Sequence, residues 1–344
     1  MNFVTSRPYI ISWNLTYRCN LACEHCYLDA GAPARLEQAH NFSDRSELNT
    51  EDCFSIVDQI AEFAPESLLI LTGGEPLLRR DILEIIRCLK QIETVKDLSI
   101  TTNGSRLAPL LVGANGRSPL REAGLYRINI SLDSMDPVRF KEVTLSNTYH
   151  QVLEAVFLAL EAGFPVKLNM VVLKGLTRQE IIEFVRLACE YPLEVRFLEF
   201  MPLCGTGWRP DLVVPIGDVR TIVFENFELE ELPRGDNVAQ AFVIKGGKGR
   251  IGFIASLTES FCNRCSRIRL TADGKIRPCL FSDKEVSIKE LLRNQAPDEE
   301  LIAAIRYAAK IKPKGNWFSE KPFRADDENF AAMASNPMIR SIGG

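Results

Sequence analysis

Two sets of three cysteines carry the most distinctive chemistry in this 344-residue sequence. Cys19, Cys23 and Cys26 form a C-x3-C-x2-C run, and Cys262, Cys265 and Cys279 form C-x2-C-x13-C. Thiolates are the protein ligands of iron–sulfur clusters, and a cubane cluster has four irons. Three close cysteines therefore leave one iron open to a small molecule, whereas a fourth would close the site for electron transfer alone. Zinc uses the same residue types. It would want a fourth ligand beside the first set, such as His25 or a distant residue, and the second set reads equally as half of a zinc ribbon without its partner pair. A chance cluster of core cysteines is the remaining alternative. A disulfide framework does not fit, because it belongs to small secreted domains in an oxidising compartment. Of the other four cysteines, Cys204 stands alone, while Cys53, Cys88 and Cys189 lie in helix-like stretches among apolar residues and read as small buried hydrophobes.

Thr72-Gly73-Gly74-Glu75-Pro76 directly follows an apolar run. Glycines let backbone approach a ligand closely, and a carboxylate can accept from an amino group, although an ordinary strand-to-helix turn also uses Gly and Pro. The segment that follows Cys265 carries Arg267, Arg269, Lys275 and Arg277. Beside an open iron these cations would suit a phosphate-bearing substrate, since Arg binds phosphate through paired hydrogen bonds. Taken alone they would equally make a solvated strand face. The sequence closes on Gly343-Gly344, either a frayed end or a tail with no side chains to stop it threading into a pocket.

Those residues need a frame. The β-like runs are YIISWN (9–14), LLILT (68–72), LSITTN (98–103), RINISLD (127–133), VKLNMVV (166–172) and VRFLEF (195–200). Between them lie segments with apolar residues at helical spacing, such as Ile82, Ile85, Ile86 and Leu89. Thr177 and Glu180 form a capping box, and Gly163 with Pro165 stops the helix before it. Six strand–helix units predict a parallel sheet, because parallel strands need long crossovers. The expected fold is α/β, an open partial (β/α)6 TIM-like barrel over residues 1–205. Residues 206–344 form a C-terminal region expected to close the barrel and bind the second cluster. In such folds the chemistry gathers at the C-terminal strand ends, which is where Cys19, Gly73, Asn103, Ser131 and Asp133 fall.

A net charge of −4 gives no general attraction to nucleic acid or to an anionic membrane. The N-terminus lacks a charged region followed by an apolar core, and no stretch reaches the roughly 18 apolar residues of a membrane span. A cytoplasmic protein that binds neither membrane nor nucleic acid is expected.

With the cysteine triplet, its following Tyr27 and the Gly-Gly-Glu-Pro segment in place, the sequence resembles the radical S-adenosylmethionine (SAM) superfamily. It resembles the GTP 3',8-cyclases of molybdenum-cofactor biosynthesis through TGGEPLLRRDI, TTNGSRL, INISLDSMDP, KLNMVVLKGL, VRFLEFMP, CNRCSRIRLTADGKIRPCLF and the closing Gly-Gly. The resemblance implies two 4Fe-4S clusters, on Cys19, Cys23 and Cys26 and on Cys262, Cys265 and Cys279. It implies SAM contacts at Gly73, Gly74, Glu75, Asn103, Ser131 and Met201, with Asp133 nearby. GTP contacts would fall on Thr101, Lys167, Arg196, Arg267, Ile268 and Arg269, and catalytic roles on Gly343 and Gly344. By the same resemblance the first cluster cleaves SAM reductively, and the radical formed takes hydrogen from C3' of the GTP ribose. A flavodoxin- or ferredoxin-type electron donor, a downstream cyclic pyranopterin synthase and a homodimer complete the expected setting.

The sequence also departs from that family. Ser12 stands where an arginine is usual, Leu68 and Ile70 where basic residues are usual, and His25 where an aromatic commonly precedes the third cysteine. These losses motivate a second reading, a cyclase-like maturase acting on a peptide, a haem precursor or a metal-pterin oxidoreductase. A non-enzymatic electron-transfer protein would need neither the double glycine nor an open iron, and a zinc-dependent nucleic-acid binder does not suit an acidic chain.

Overall fold

The six anticipated strands form the centre of one sheet. They are β1 (Ile10–Asn14), β2 (Leu68–Thr72), β3 (Asp97–Thr102), β4 (Arg127–Ser131), β5 (Val166–Val172) and β6 (Leu193–Glu199). This computed structural model describes residues 9–26, 47–63, 67–203, 206–234, 238–282, 284–294, 296–313 and 315. Successive side chains of a strand point to opposite faces, and the sequence uses that period. Leu69, Leu71, Ile100, Ile128, Ile130, Leu168, Met170, Val195 and Phe197 are buried on one face, in a single apolar cluster with helix residues such as Ile85, Ile86, Val152, Ala155, Ile181 and Phe184. The other face carries polar and charged residues. We call it the polar face.

Helices Thr50–Phe63, Ile82–Lys90, Tyr149–Glu161 and Arg178–Glu190 connect successive strands. Their ends follow the sequence signals. Gly163, at φ +77°, terminates one helix. Thr177 and Glu180 form the expected reciprocal cap on the next.

The region after residue 205 contributes more strand than its fading alternation suggests. Here β7 (Leu229–Glu231), β8 (Gln240–Ile244), β9 (Arg250–Ile254), β10 (Arg267–Leu270), β11 (Lys275–Arg277) and β12 (Val286–Ser287) extend the sheet on both sides. The strand order is β12-β11-β10-β1-β2-β3-β4-β5-β6-β9-β8-β7. From β10 through β9 every neighbouring pair is parallel, and the outer strands are antiparallel. Among the described residues the sheet has two free ends, so the barrel is open, as expected. Among the described residues no helix is long and apolar enough to cross a membrane.

Candidate active site

The first cysteine loop leaves the C-terminal end of β1 and is fastened on several sides. The N–H of Gly74 donates to the Thr16 carbonyl (2.8 Å) and that of Glu75 to the Arg18 carbonyl (2.7 Å). The double glycine is sterically required there. A Cβ on Gly74 would stand 2.1 Å from the Arg18 carbonyl oxygen, and one on Gly73, at φ +153°, 2.6 Å from that of Thr16. On another side, the N–H groups of Ala22 and Glu24 donate to the Thr144 and Val143 carbonyls (3.3 and 3.0 Å) at the end of helix Pro137–Thr144. The helix thus satisfies two of its orphan carbonyls with the cysteine loop.

Burial pushes the Cys19 thiol up to about 12 and the Cys23 thiol well above its usual range, and the thiols of this set raise one another. Buried thiols held close together keep their protons in water. A metal cluster supplies the missing positive charge and takes up the thiolates, so the donor set fits the group that the spacing implies. Among the described residues no three His, Cys, Asp or Glu groups are arranged to hold a single metal ion.

Around that loop, Glu75 is fully buried and accepts from Thr102 Oγ1 (2.7 Å), the Asn103 N–H (2.7 Å) and the Leu77 N–H (3.0 Å). Burial pushes its carboxyl up to about 7 against these donors. These bonds tie the end of β2 to the end of β3, and Oε2, with one donor, keeps room for another. The Asn103 amide donates to Asn20 Oδ1 (3.0 Å) and reaches Cys19 Sγ (3.9 Å), which places it against the loop. His25 Nε2 lies 3.4 Å from Asp133 Oδ2, and its buried Nδ1 has no partner among the described residues. Ser131, half-buried, ends β4 on the polar face, and half-buried Met201 follows β6. Tyr27, Cys204, Gly343 and Gly344 lie outside the described residues.

The second cysteine set sits elsewhere. Cys262 and Cys265 precede β10 and Cys279 follows β11, so both approaches meet at the end of β10 where β1 begins, with the Ile10 N–H donating to the Ser266 carbonyl (3.2 Å). That is the opposite end of the sheet from Cys19, so the chemistry expected at the C-terminal strand ends is that of the first set alone. A strand of β1's length spans about 16 Å. Burial raises the Cys279 thiol, and Cys265 adds to the effect.

The polar face fills the interval. Register aligns Ser12 with both Arg269 and Ile70, Thr101 with Asn129, Asn129 with Lys167, and Lys167 with Glu194. Thr101 Oγ1 accepts from the Asn129 amide (3.1 Å). Arg127 pairs with Asp97 at 2.9 Å, while Lys167 and Arg196 share Glu194. Arg267 and Arg269 have no carboxylate partner among the described residues, and the buried Arg267 Nε has no acceptor. Burial, helped by Arg269, lowers Arg267 to about 10. An anionic ligand would supply what this pair lacks. Ile268 turns its side chain into the apolar core, leaving only its backbone for a ligand.

The profile of the Radical SAM superfamily matches residues 13–188, and that of Molybdenum Cofactor Synthesis C matches 193–318. A GTP 3',8-cyclase of Syntrophomonas wolfei is 40% identical over 304 residues, covering 87% of this chain and 89% of its own. The chain belongs to the GTP 3',8-cyclase family. A second family member, from Moorella thermoacetica, is 38% identical over 302 residues, with 87% and 89% covered. Human molybdenum cofactor biosynthesis protein 1 is 37% identical over 329 residues, 95% of this chain but 48% of its own, so the chain spans about half of that protein. Among solved structures, native anSMEcpe with bound AdoMet has a TM-score of 0.61 at 14% identity, over 91% of this chain and 86% of the other. Streptococcus suis SuiB bound to S-adenosylmethionine has a TM-score of 0.57 at 17%, over 88% and 68%. These two likenesses establish the fold.

Three supports of this family site were missed in the sequence. Glu199, at the end of β6, is buried and accepts from the N–H groups of Ile216 (3.0 Å), Leu257 (2.7 Å) and Thr258 (3.0 Å) and from the Thr258 hydroxyl. Arg79 donates to the carbonyls of Leu15 (2.9 Å) and Leu48 (3.0 Å) while paired with Asp81. Tyr17 donates to Asp273 (2.6 Å), tying the first cysteine loop to the turn between β10 and β11. Each is one polar residue in a loop or strand end. The only signal was a charge or hydroxyl near a motif.

Proposed function

We propose that this chain catalyses the GTP 3',8-cyclase reaction of molybdenum-cofactor biosynthesis, as a radical SAM lyase that holds GTP on the polar face between its two thiol sets. One observation carries the reading. The two three-cysteine sets stand at opposite ends of adjacent strands, and on the strand joining them Arg267 and Arg269 await an anion. Membership of the radical SAM superfamily brings SAM and iron–sulfur chemistry, and a 4Fe-4S cluster on each set is our assignment. With these groups bound, the site gains reductive cleavage of SAM and hence removal of hydrogen from an unactivated carbon.

The chain's own residues bind and orient. Gly73 and Gly74 let the first cysteine loop lie flush on the end of β2, with Glu75 bracing it from beneath. Gly73, Gly74, Glu75, Asn103, Ser131 and Met201 hold SAM in this reading. Arg267, Arg269 and the Ile268 backbone receive GTP beside the second set, with Thr101, Lys167 and Arg196 across the face. Gly343 and Gly344 enter the site as catalytic residues. Residues 1–205 and 206–344 act as a SAM-binding part and a substrate-cluster part. A flavodoxin or ferredoxin supplies electrons to a cytoplasmic homodimer, and a cyclic pyranopterin synthase takes the product.

Anaerobically reconstituted protein with about eight irons per chain should, with SAM, reductant and GTP, form 5'-deoxyadenosine and a cyclised guanosine product. Failure of GTP to stimulate 5'-deoxyadenosine formation overturns the reading. A maturase acting on another substrate is favoured by Ser12, Leu68 and Ile70, which bring no charge to the polar face. GTP binding of ordinary family strength removes that alternative.

A further inference from the structure

Lys167 and Arg196 are held by a residue to which the family resemblance assigns no role. Glu194 faces Lys167 directly across the β5–β6 register, and Arg196 follows two residues later on the same face. One Glu194 oxygen takes the ammonium at 3.1 Å and the other takes Arg196 Nε. All three side chains are largely buried, at 16%, 14% and 13% exposed for Lys167, Glu194 and Arg196. The neighbouring strand β9 is shaped for the arrangement. Gly252 lies opposite Arg196, and a Cβ there would press to 3.2 Å on Arg196 Cγ and 3.4 Å on Glu194 Oε1. With Nε engaged, Nη1 and Nη2 of Arg196 have no acceptor among the described residues. The ammonium likewise has donors to spare.

We propose that Glu194 is the positioning residue of the anion site, holding Lys167 charged and Arg196 aimed so that their unused N–H groups receive a phosphate of the substrate. The proposal rests on the reading that GTP binds on this face. Without Glu194, two cations would lie buried side by side with no carboxylate bonded to either, Asp97 being paired with Arg127. Arginine does not yield its proton at ordinary pH, so the lysine would. The surroundings already lean that way. Burial, then Arg196, lowers Lys167 to about 8, with Arg127 adding to the effect and Glu194 opposing it. For Glu194 the order is similar: burial pushes its carboxyl up, and Arg196 and Lys167 together pull it below its usual range. The other charges facing this group are Asp97 on β3, Arg250 opposite Glu194 on β9, and Arg267 on β10.

The test uses the full reconstituted chain without reductant, and GTP binding is measured by equilibrium dialysis from about pH 6 to 9. Wild-type affinity should fall as Lys167 loses its proton. In Glu194→Gln the fall should move down by at least about one pH unit, weakening binding at least about twofold at pH 7 and about fivefold at pH 8, and recovering in acid. Adding Lys167→Arg to Glu194→Gln should restore neutral affinity, because the replacement cation cannot deprotonate. The pH midpoint of Lys167 acylation, followed by mass spectrometry, should drop in Glu194→Gln whether or not GTP is present. If that variant does not fold, Glu194→Asp serves, with a smaller shift in the same direction. Unchanged or tighter GTP binding with an unmoved acylation midpoint overturns the proposal. Wild-type protein that binds no GTP while the midpoint still shifts removes the substrate reading and leaves the Lys167–Glu194 coupling intact.

Discussion

At the scale of single residues, the cysteines and the groups that hold their loops play different parts. Gly74 has no room for a methyl group, because main chain meets it at 2.1 Å and cannot swing aside. Gly74→Ala should therefore displace the Cys19 loop, lowering bound iron and abolishing SAM cleavage, with a stability loss of about 1–3 kcal/mol. Iron per chain and 5'-deoxyadenosine yield are the measurements. Glu199 makes the complementary case, since it touches no expected ligand. Replacing it by Ala strands two buried N–H groups and a part-buried third, at about 1–3 kcal/mol for each buried one before relaxation. Urea unfolding of Glu199→Ala should show a loss of roughly 3 kcal/mol or more, while any folded protein keeps both thiol sets. The cysteines could be found because three thiols at fixed spacing are rare and chemically specific. Glu199 and Arg79 could not. A lone charged residue at a strand end looks the same whether it faces water or gathers buried carbonyls and amides.

At the scale of elements, the first cysteine loop depends on the turn after β2. Arg79 holds the Leu15 and Leu48 carbonyls and is itself fixed by Asp81. Burial alone would raise the Asp81 carboxyl, but its bonds to Arg79 outweigh that and leave it below the usual range. A carboxyl with a lowered folded pKa adds stability that is present above its unfolded value and lost as pH falls through the folded one. Acid unfolding below about pH 4 should thus be shallower in Asp81→Asn than in wild type. Arg79→Leu should cost about 2–4 kcal/mol at neutral pH by leaving both carbonyls unpaired. Strands β1–β6 were legible because alternate positions feed a shared apolar core and helix signals separate them. β9 and β10 were not. Each is short, each carries arginine on its polar face, and each finds its parallel partner far away in sequence. The direction of β10 is fixed only by pairing with β1, so no reading of spacing could place the second thiol set at the opposite end of the sheet.

At the scale of the whole molecule, the C-terminal region completes the first six strands. It lays β10 against β1 and β9 against β6. Truncation after residue 205 should uncover both strand edges and part of the apolar face, giving aggregated protein; sedimentation of the expressed fragment checks this. The parallel contact of β1 with β10 also has a cost in time. Arg267, the partner of Ile10 in register, is synthesised 257 residues after it, with β11, β12 and two helices still to follow. At about 5–20 residues per second the nascent strand waits on the order of tens of seconds with one side unpaired. Slower translation or a lower growth temperature alters that wait, and a holding chaperone shields it, so the soluble yield of this protein should respond to chaperone supply more than to codon choice near its start.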